Sequence, residues 1–192
     1  NTNPQTTTLA DLEAKEQIAA QKSVVNYGFM LGATNDNISQ LLDIGPLRYA
    51  AIKLFLGSST GNMLVNKPDT LDRLFGESKK LIVAHCEDES IIQANLRNYK
   101  MEFAGKEGEN ASLHPKIRSR EACFVSTYKA VERARKYGTR LHIAHVSTAT
   151  ELSLFSNKPL EEKNVTAEVT PNHLWFDDRD YAELGNLIKC NP

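Results

Sequence analysis

The sequence predicts an α/β protein built on a parallel sheet, either a doubly wound sheet or a (β/α)8 TIM barrel. Three observations lead there. Short apolar runs alternate with helical patterns along the chain. The runs are almost continuously apolar, as strands covered on both faces are. Polar residues able to do chemistry gather at the carboxyl ends of those runs: His85 ends LIVAH, His145 ends LHIAH, and Asn172 and His173 follow AEVTP. Barrel active sites are assembled from such ends.

Each element has its own signal. Residues 8–22 (TLADLEAKEQIAAQK) have helical spacing, and Thr8 with Asp11 makes a capping-box pattern. Residues 23–31 (SVVNYGFML) read as a first strand, rich in Val and aromatics. NISQLLDIG is a short helix stopped by Gly45 and Pro46, and AAIKLFLG is a second strand. Pro68 opens a helix at a position where its missing N–H costs little. KLIVAHC is a third strand, followed by a helix over 88–103 and a polar loop over 104–115. A long amphipathic helix runs over 117–138 and stops at Gly138. RLHIAHVS is a fourth strand, TATELSLFS a helix and NVTAEVT a fifth strand. No G-x-G-x-x-G follows the first strand, which weakens a dinucleotide-binding reading.

Composition excludes several classes. The chain has 192 residues, a formal charge of −1 and 41% hydrophobic residues, an ordinary globular balance. That charge gives no basic field for nucleic acid and no polybasic patch for a membrane. No apolar run approaches the ~20 residues that span a bilayer. The opening NTNPQTTTLAD lacks the basic and apolar regions of a secretory signal. Cys86, Cys123 and Cys190 are not closely spaced, which predicts reduced thiols in a cytoplasmic protein. The missing initiator Met and the turn-like KCNP ending read as cuts within something longer. Homo-oligomer formation stays open.

Lys53 is the sharpest single signal. It lies among Ala51, Ile52, Leu54, Phe55 and Leu56, where a bare ammonium is costly. It either snorkels to water or loses its charge, for example by carboxylation to a carbamate that metal ions stabilise. His85 and His145 occupy equivalent places on two strands, which points to a shared metal. Strand period two puts 143 and 145 on one face and 142 on the other. With His145 inward, His142 is expected to face the helical layer and to be structural. GSSTGN lacks the Gly-Lys-Ser/Thr of a phosphate loop and reads as a plain active-site loop, with substrate contact by Ser59 or Thr60 the less favoured alternative. His114 and Arg118 read as capping and packing residues, and the acidic HCEDE as a helix start that suits the dipole.

These motifs together resemble the dihydroorotases of the amidohydrolase superfamily. NTNP resembles the tail of a Met-Pro-Asn-Thr-Asn-Pro motif. KLFLGSSTGN resembles the strand-four segment with a carboxylated lysine, and LIVAHCEDE and HIAHVST the strand-five and strand-six histidine motifs. EVTPNHLWF resembles a Thr-Pro-His-His-Leu motif with Asn172 in place of the first His, and KCNP the loop before strand eight. The resemblance runs over the whole chain in order. It implies that residues 1–192 form part of a metal-dependent hydrolase barrel, from about the end of strand two to the loop before strand eight. It implies two zinc ions bridged by carboxylated Lys53, with His85 and His145 as further ligands. Asn1 would bind the substrate carboxylate, and Asn191 would sit against the pyrimidine ring. A His-x-His before Asn1 and a general-base Asp after Pro192 are expected, so no general base lies in the span. The implied reaction is reversible opening of dihydroorotate to N-carbamoyl-aspartate in pyrimidine synthesis. The alternatives are an allantoinase or dihydropyrimidinase-like enzyme and an inactive scaffold homologue.

Overall fold

Among the described residues five strands carry the sheet: β1 Met30–Gly32, β2 Ala51–Phe55, β3 Ile82–His85, β4 Leu141–Ile143 and β5 Val165–Ala167. The computed structural model describes residues 3–45, 48–57, 61–102 and 111–192. All four strand pairings are parallel, and the spatial order follows the chain, β1-β2-β3-β4-β5. A doubly wound sheet reverses its order at a switch point. A barrel adds each strand beside the last. The observed order is that of a barrel segment.

The helices follow from local signals. Helix α1 (Leu9–Lys22) starts with the predicted capping box: the Thr8 side chain accepts from the Asp11 N–H, and the Asp11 carboxylate accepts from the Thr8 N–H. Helix α2 (Ile38–Asp43) is short, and α3 (Pro68–Glu77) has its proline in the first turn. Helix α4 covers Glu89–Glu102, α5 His114–Ile117 and α6 Arg120–Tyr137. Ser119 caps α6 by accepting from the Ala122 N–H, and Gly138 ends it at φ 68, a left-handed conformation that glycine adopts cheaply. Two short helices follow β5: α7 (Pro171–Trp175) and α8 (Tyr181–Leu184). Among the described residues no helix is long and apolar enough to cross a membrane.

The sheet has two different faces. Leu31, Ile52, Leu54, Ile82, Ala84, Leu141 and Ile143 pack into one apolar core with helix residues such as Leu12, Leu41, Leu74, Phe75 and Val131. The opposite face carries only a small cluster of Ala51, Val83 and Ala144 with Leu81. Period two therefore puts Lys53, His85 and His142 on that second face. The registers Gly32↔Lys53, Lys53↔Val83, Val83↔His142 and His142↔Thr166 form one row across the sheet.

Three elements are shorter than the sequence predicts. The first strand begins only at Met30, because its partner β2 begins opposite at Ala51. Val24 and Val25 are exposed, and the Ser23 hydroxyl both donates to the Val25 carbonyl and accepts its N–H, turning the chain after α1. The fourth strand stops at Ile143, two residues before His145. The helix expected at 148–156 is a 3-10 helix, Ala149–Leu154.

Truncating the core should cost far more than removing a cap. Leu74→Ala is expected to lower stability by about 2–5 kcal/mol, and Thr8→Ala by about 1 kcal/mol. Urea unfolding of the two variants checks the ranking.

Candidate functional site

Lys53 sits mid-strand on β2, half-buried, with its Nζ 4.9 Å from the centroid of the Phe55 ring. Burial pushes its pKa below the usual lysine value, and the Glu168 charge opposes that only in part. His85 is the last residue of β3 and is 5% exposed. His145 lies beyond the end of β4 in a left-handed backbone conformation, φ 40. The two rings meet edge to face, with centroids 4.7 Å apart and His85 Nδ1 3.0 Å from His145 Nε2.

The His145 pKa is pushed down to about 4 by burial, then by His85 and by the Lys53 charge. Lys53 and His85 therefore both bear on His145 and oppose its protonation. That suits a metal site, where ligands must be deprotonated.

A carboxylate the sequence reading missed fixes which lone pairs are available. Glu87 is fully buried, with Oε2 2.6 Å from His85 Nε2 and 2.6 Å from Arg118 Nη1. Burial alone raises its pKa, but the His85 bond and the Arg118 charge outweigh it and hold the carboxyl low. As an anion Glu87 only accepts, so His85 donates from Nε2 and keeps Nδ1 bare. His145 Nε2 then donates to that nitrogen, and His145 Nδ1 is left buried without a partner. A cation replacing the shared proton would meet one nitrogen from each ring. A carboxylate on the far nitrogen of a ligand histidine is the usual supporting arrangement. Among the described residues no three His, Cys, Asp or Glu side chains group as a metal cage.

Glu87 was legible only as part of an acidic helix start, and Arg118 only as a packing residue. The signal available was spacing: Glu87 is two residues past His85 in strand period, on the same face. Gly57 is required beside it, because a Cβ there would collide with the Glu87 carbonyl.

His142 is a correction. It was expected beneath a helix, but Leu141 and Ile143 take that face and His142 shares the inner face with Lys53. Its Nδ1 is 2.8 Å from Thr166 Oγ1 and its Nε2 3.2 Å from Glu168 Oε2. The parity argument failed because the strand is not regular as far as His145.

Next to this group lies a cleft of about 210 Å³, lined among others by His114, Arg118, Ser147, Asn172, His173 and Cys190. His114 donates from Nε2 to the Cys190 carbonyl at 2.7 Å, so it ties the end of the chain to the cleft wall. Asn191 is exposed, and its neighbours Cys190 and Pro192 line the cleft. Asn1, Ser59 and Thr60 lie outside the described residues.

No family model matches the chain. It is 29% identical over 193 residues to a dihydroorotase of Methanosphaera stadtmanae, covering all of this chain and 43% of that protein. It is 30% identical over 203 residues to a dihydroorotase of Methanosarcina mazei, covering 42% of it. An allantoinase of Bacillus velezensis is 28% identical, again over the whole chain and 42% of its own length. Among solved structures, the L-hydantoinase (dihydropyrimidinase) of Arthrobacter aurescens superposes with a TM-score of 0.86, at 24% identity, over 97% of this chain and 42% of that one. The chain thus spans about two fifths of the relatives it matches. The fold is that of part of an amidohydrolase barrel.

Two outcomes test the electrostatics. Stability of the metal-free protein should fall as pH drops from about 6.5 towards about 4, because the unfolded chain takes a proton that folded His145 refuses. His145→Ala should flatten that limb in a thermal-unfolding series. Arg118→Met leaves buried Glu87 without its cationic partner and should cost about 3–5 kcal/mol, read by urea unfolding.

Proposed function

We propose that this dihydroorotase-like amidohydrolase chain belongs to a metal-dependent enzyme that hydrolyses the cyclic amide of dihydroorotate to N-carbamoyl-aspartate, reversibly. The observation that carries the reading is a half-buried lysine of lowered pKa facing a histidine pair at the carboxyl ends of parallel strands. The whole-chain similarity to dihydroorotases supports the choice of substrate.

Lys53, His85 and His145 would hold divalent metal, with Lys53 carboxylated and bridging two zinc ions. When bound, such ions activate water for attack on an amide carbonyl. The chain's own residues prepare the ground. Burial of Lys53 favours the neutral amine, the form that reacts with carbon dioxide. Glu87 holds the His85 proton on Nε2 and so keeps Nδ1 free to ligate. The cleft beside the histidines offers Asn172, His173 and Ser147 as polar contacts for a ring amide, with Asn191 at its edge.

A second reading is an allantoinase or hydantoinase, favoured by the allantoinase similarity and the hydantoinase fold match. An inactive scaffold is the third. Turnover of dihydroorotate, allantoin and hydantoin by the intact, zinc-loaded protein separates them. Dihydroorotate should be preferred; preference for another ring would select the second reading, and no turnover of any would select the third. Lys53→Ala should lower turnover by at least about 100-fold, since losing even an outer supporting group costs 10–100-fold. Short carboxylic acids should restore part of it. Unchanged turnover and metal content would remove Lys53 from the site.

A further inference from the structure

We propose that His142 and Glu168 are positioning residues that hold His145 in the left-handed corner turning its imidazole to the inner face of the sheet. The need for such a device is visible in the alternation. Leu141 and Ile143 enter the helical core, and Ala144 packs on the inner face with Ala51 and Val83. Continued regularly, the strand would send residue 145 back toward the helices. Instead His145 meets His85 on the inner side, and it does so at φ 40. His145 is the only non-glycine with positive φ among the described residues. An L-residue adopts that region reluctantly, so it persists where its surroundings over-determine it.

Glu168 supplies those surroundings. Its N–H donates to the Ile143 carbonyl at 3.0 Å, and its carbonyl accepts the Val146 N–H at 2.8 Å. The backbone of one residue thus brackets the corner on both sides. Its carboxylate leaves the corner and meets β4 at His142. That carboxylate is half exposed and needs its own anchor. His142 Nε2, 3.2 Å away, is the donor. With the proton on Nε2, Nδ1 accepts from the Thr166 hydroxyl at 2.8 Å, and Thr166 is the partner of His142 in the β4–β5 register. The two histidines of HIAH are thereby coupled: the first anchors the side chain of the residue whose backbone brackets the second.

The consequence for metal rests on the proposed reading of His145 as a ligand; the corner itself does not. The test uses isotope-labelled, metal-free protein. The three-bond amide–α coupling at residue 145 reports φ, and ring-to-ring nuclear Overhauser effects report the His85–His145 contact. Glu168→Ala and His142→Ala should each move φ out of the left-handed region and weaken the ring contact. Glu168→Gln keeps an acceptor oxygen for His142 Nε2 and should preserve both. In zinc titrations the two alanine variants should bind at least about tenfold more weakly, in the range set by lost support of a ligand, and Glu168→Gln within about threefold of the parent. An unchanged coupling in both alanine variants overturns the proposal, as does a Glu168→Gln variant as altered as Glu168→Ala. A changed coupling with unchanged zinc affinity upholds the corner and removes His145 from the ligand set.

Discussion

A half-buried ammonium sets the terms for the inner face of this sheet. Lys53 is held where water cannot fully solvate its charge, and His85 and His145 share the same space. Burial, His85 and Lys53 together oppose a proton on His145, so its ring stays neutral at neutral pH. Cation binding to such a group is opposed as long as Lys53 stays charged. Loss of the lysine proton, which burial favours, is therefore the first requirement of the proposed chemistry, and conversion to a carbamate would replace a repulsive charge by an attractive one. The other charges are arranged to permit this. Arg118 neutralises Glu87 on the far side of His85, and His142 engages Glu168.

Two enclosed carboxylates among the described residues show how burial selects partners. Glu151 is 2% exposed and is satisfied by the Thr127 and Thr148 hydroxyls at 2.6 and 2.7 Å. It ties helix α6 to the turn that follows His145. Glu87 is enclosed as completely but is met by a guanidinium and an imidazole. Neutral hydroxyl bonds contribute less than charge-assisted ones. The stronger pairing stands where a ring orientation has to be fixed, the weaker where only a loop has to be held.

Much of the architecture was legible in the sequence because it depends on local signals. The capping box at Thr8, Pro68 in a first turn and Gly138 after α6 appear where their chemistry demands. The five apolar runs gave the strand count. Strand ends were less legible. A ladder needs a partner, so Val24 and Val25 stay outside the sheet despite their β preference. At the site, Lys53, His85 and His145 stood out because polar groups in apolar runs are rare. Glu87 did not, since an acidic residue before a helix has an adequate local explanation. The facing of His142 was misread because parity assumes regular backbone from 142 to 145, and the left-handed residue breaks it. Such a conformation is decided by Glu168, 23 positions away along the chain.

Arg118 joins the two halves of the site. Its guanidinium holds Glu87 behind His85 and also forms part of the cleft wall. The opposite part of that wall is drawn in by His114 through the Cys190 carbonyl, a bond across 76 positions of sequence. A group entering the cleft would meet a surface whose position is set by the same residue that fixes the histidine tautomer. Substrate grip and ligand geometry are thus built on one short segment, 114–118, and a substitution there disturbs both together. This explains why a stretch that reads as packing in the sequence behaves in the fold as the shared foundation of the cleft and the histidine pair.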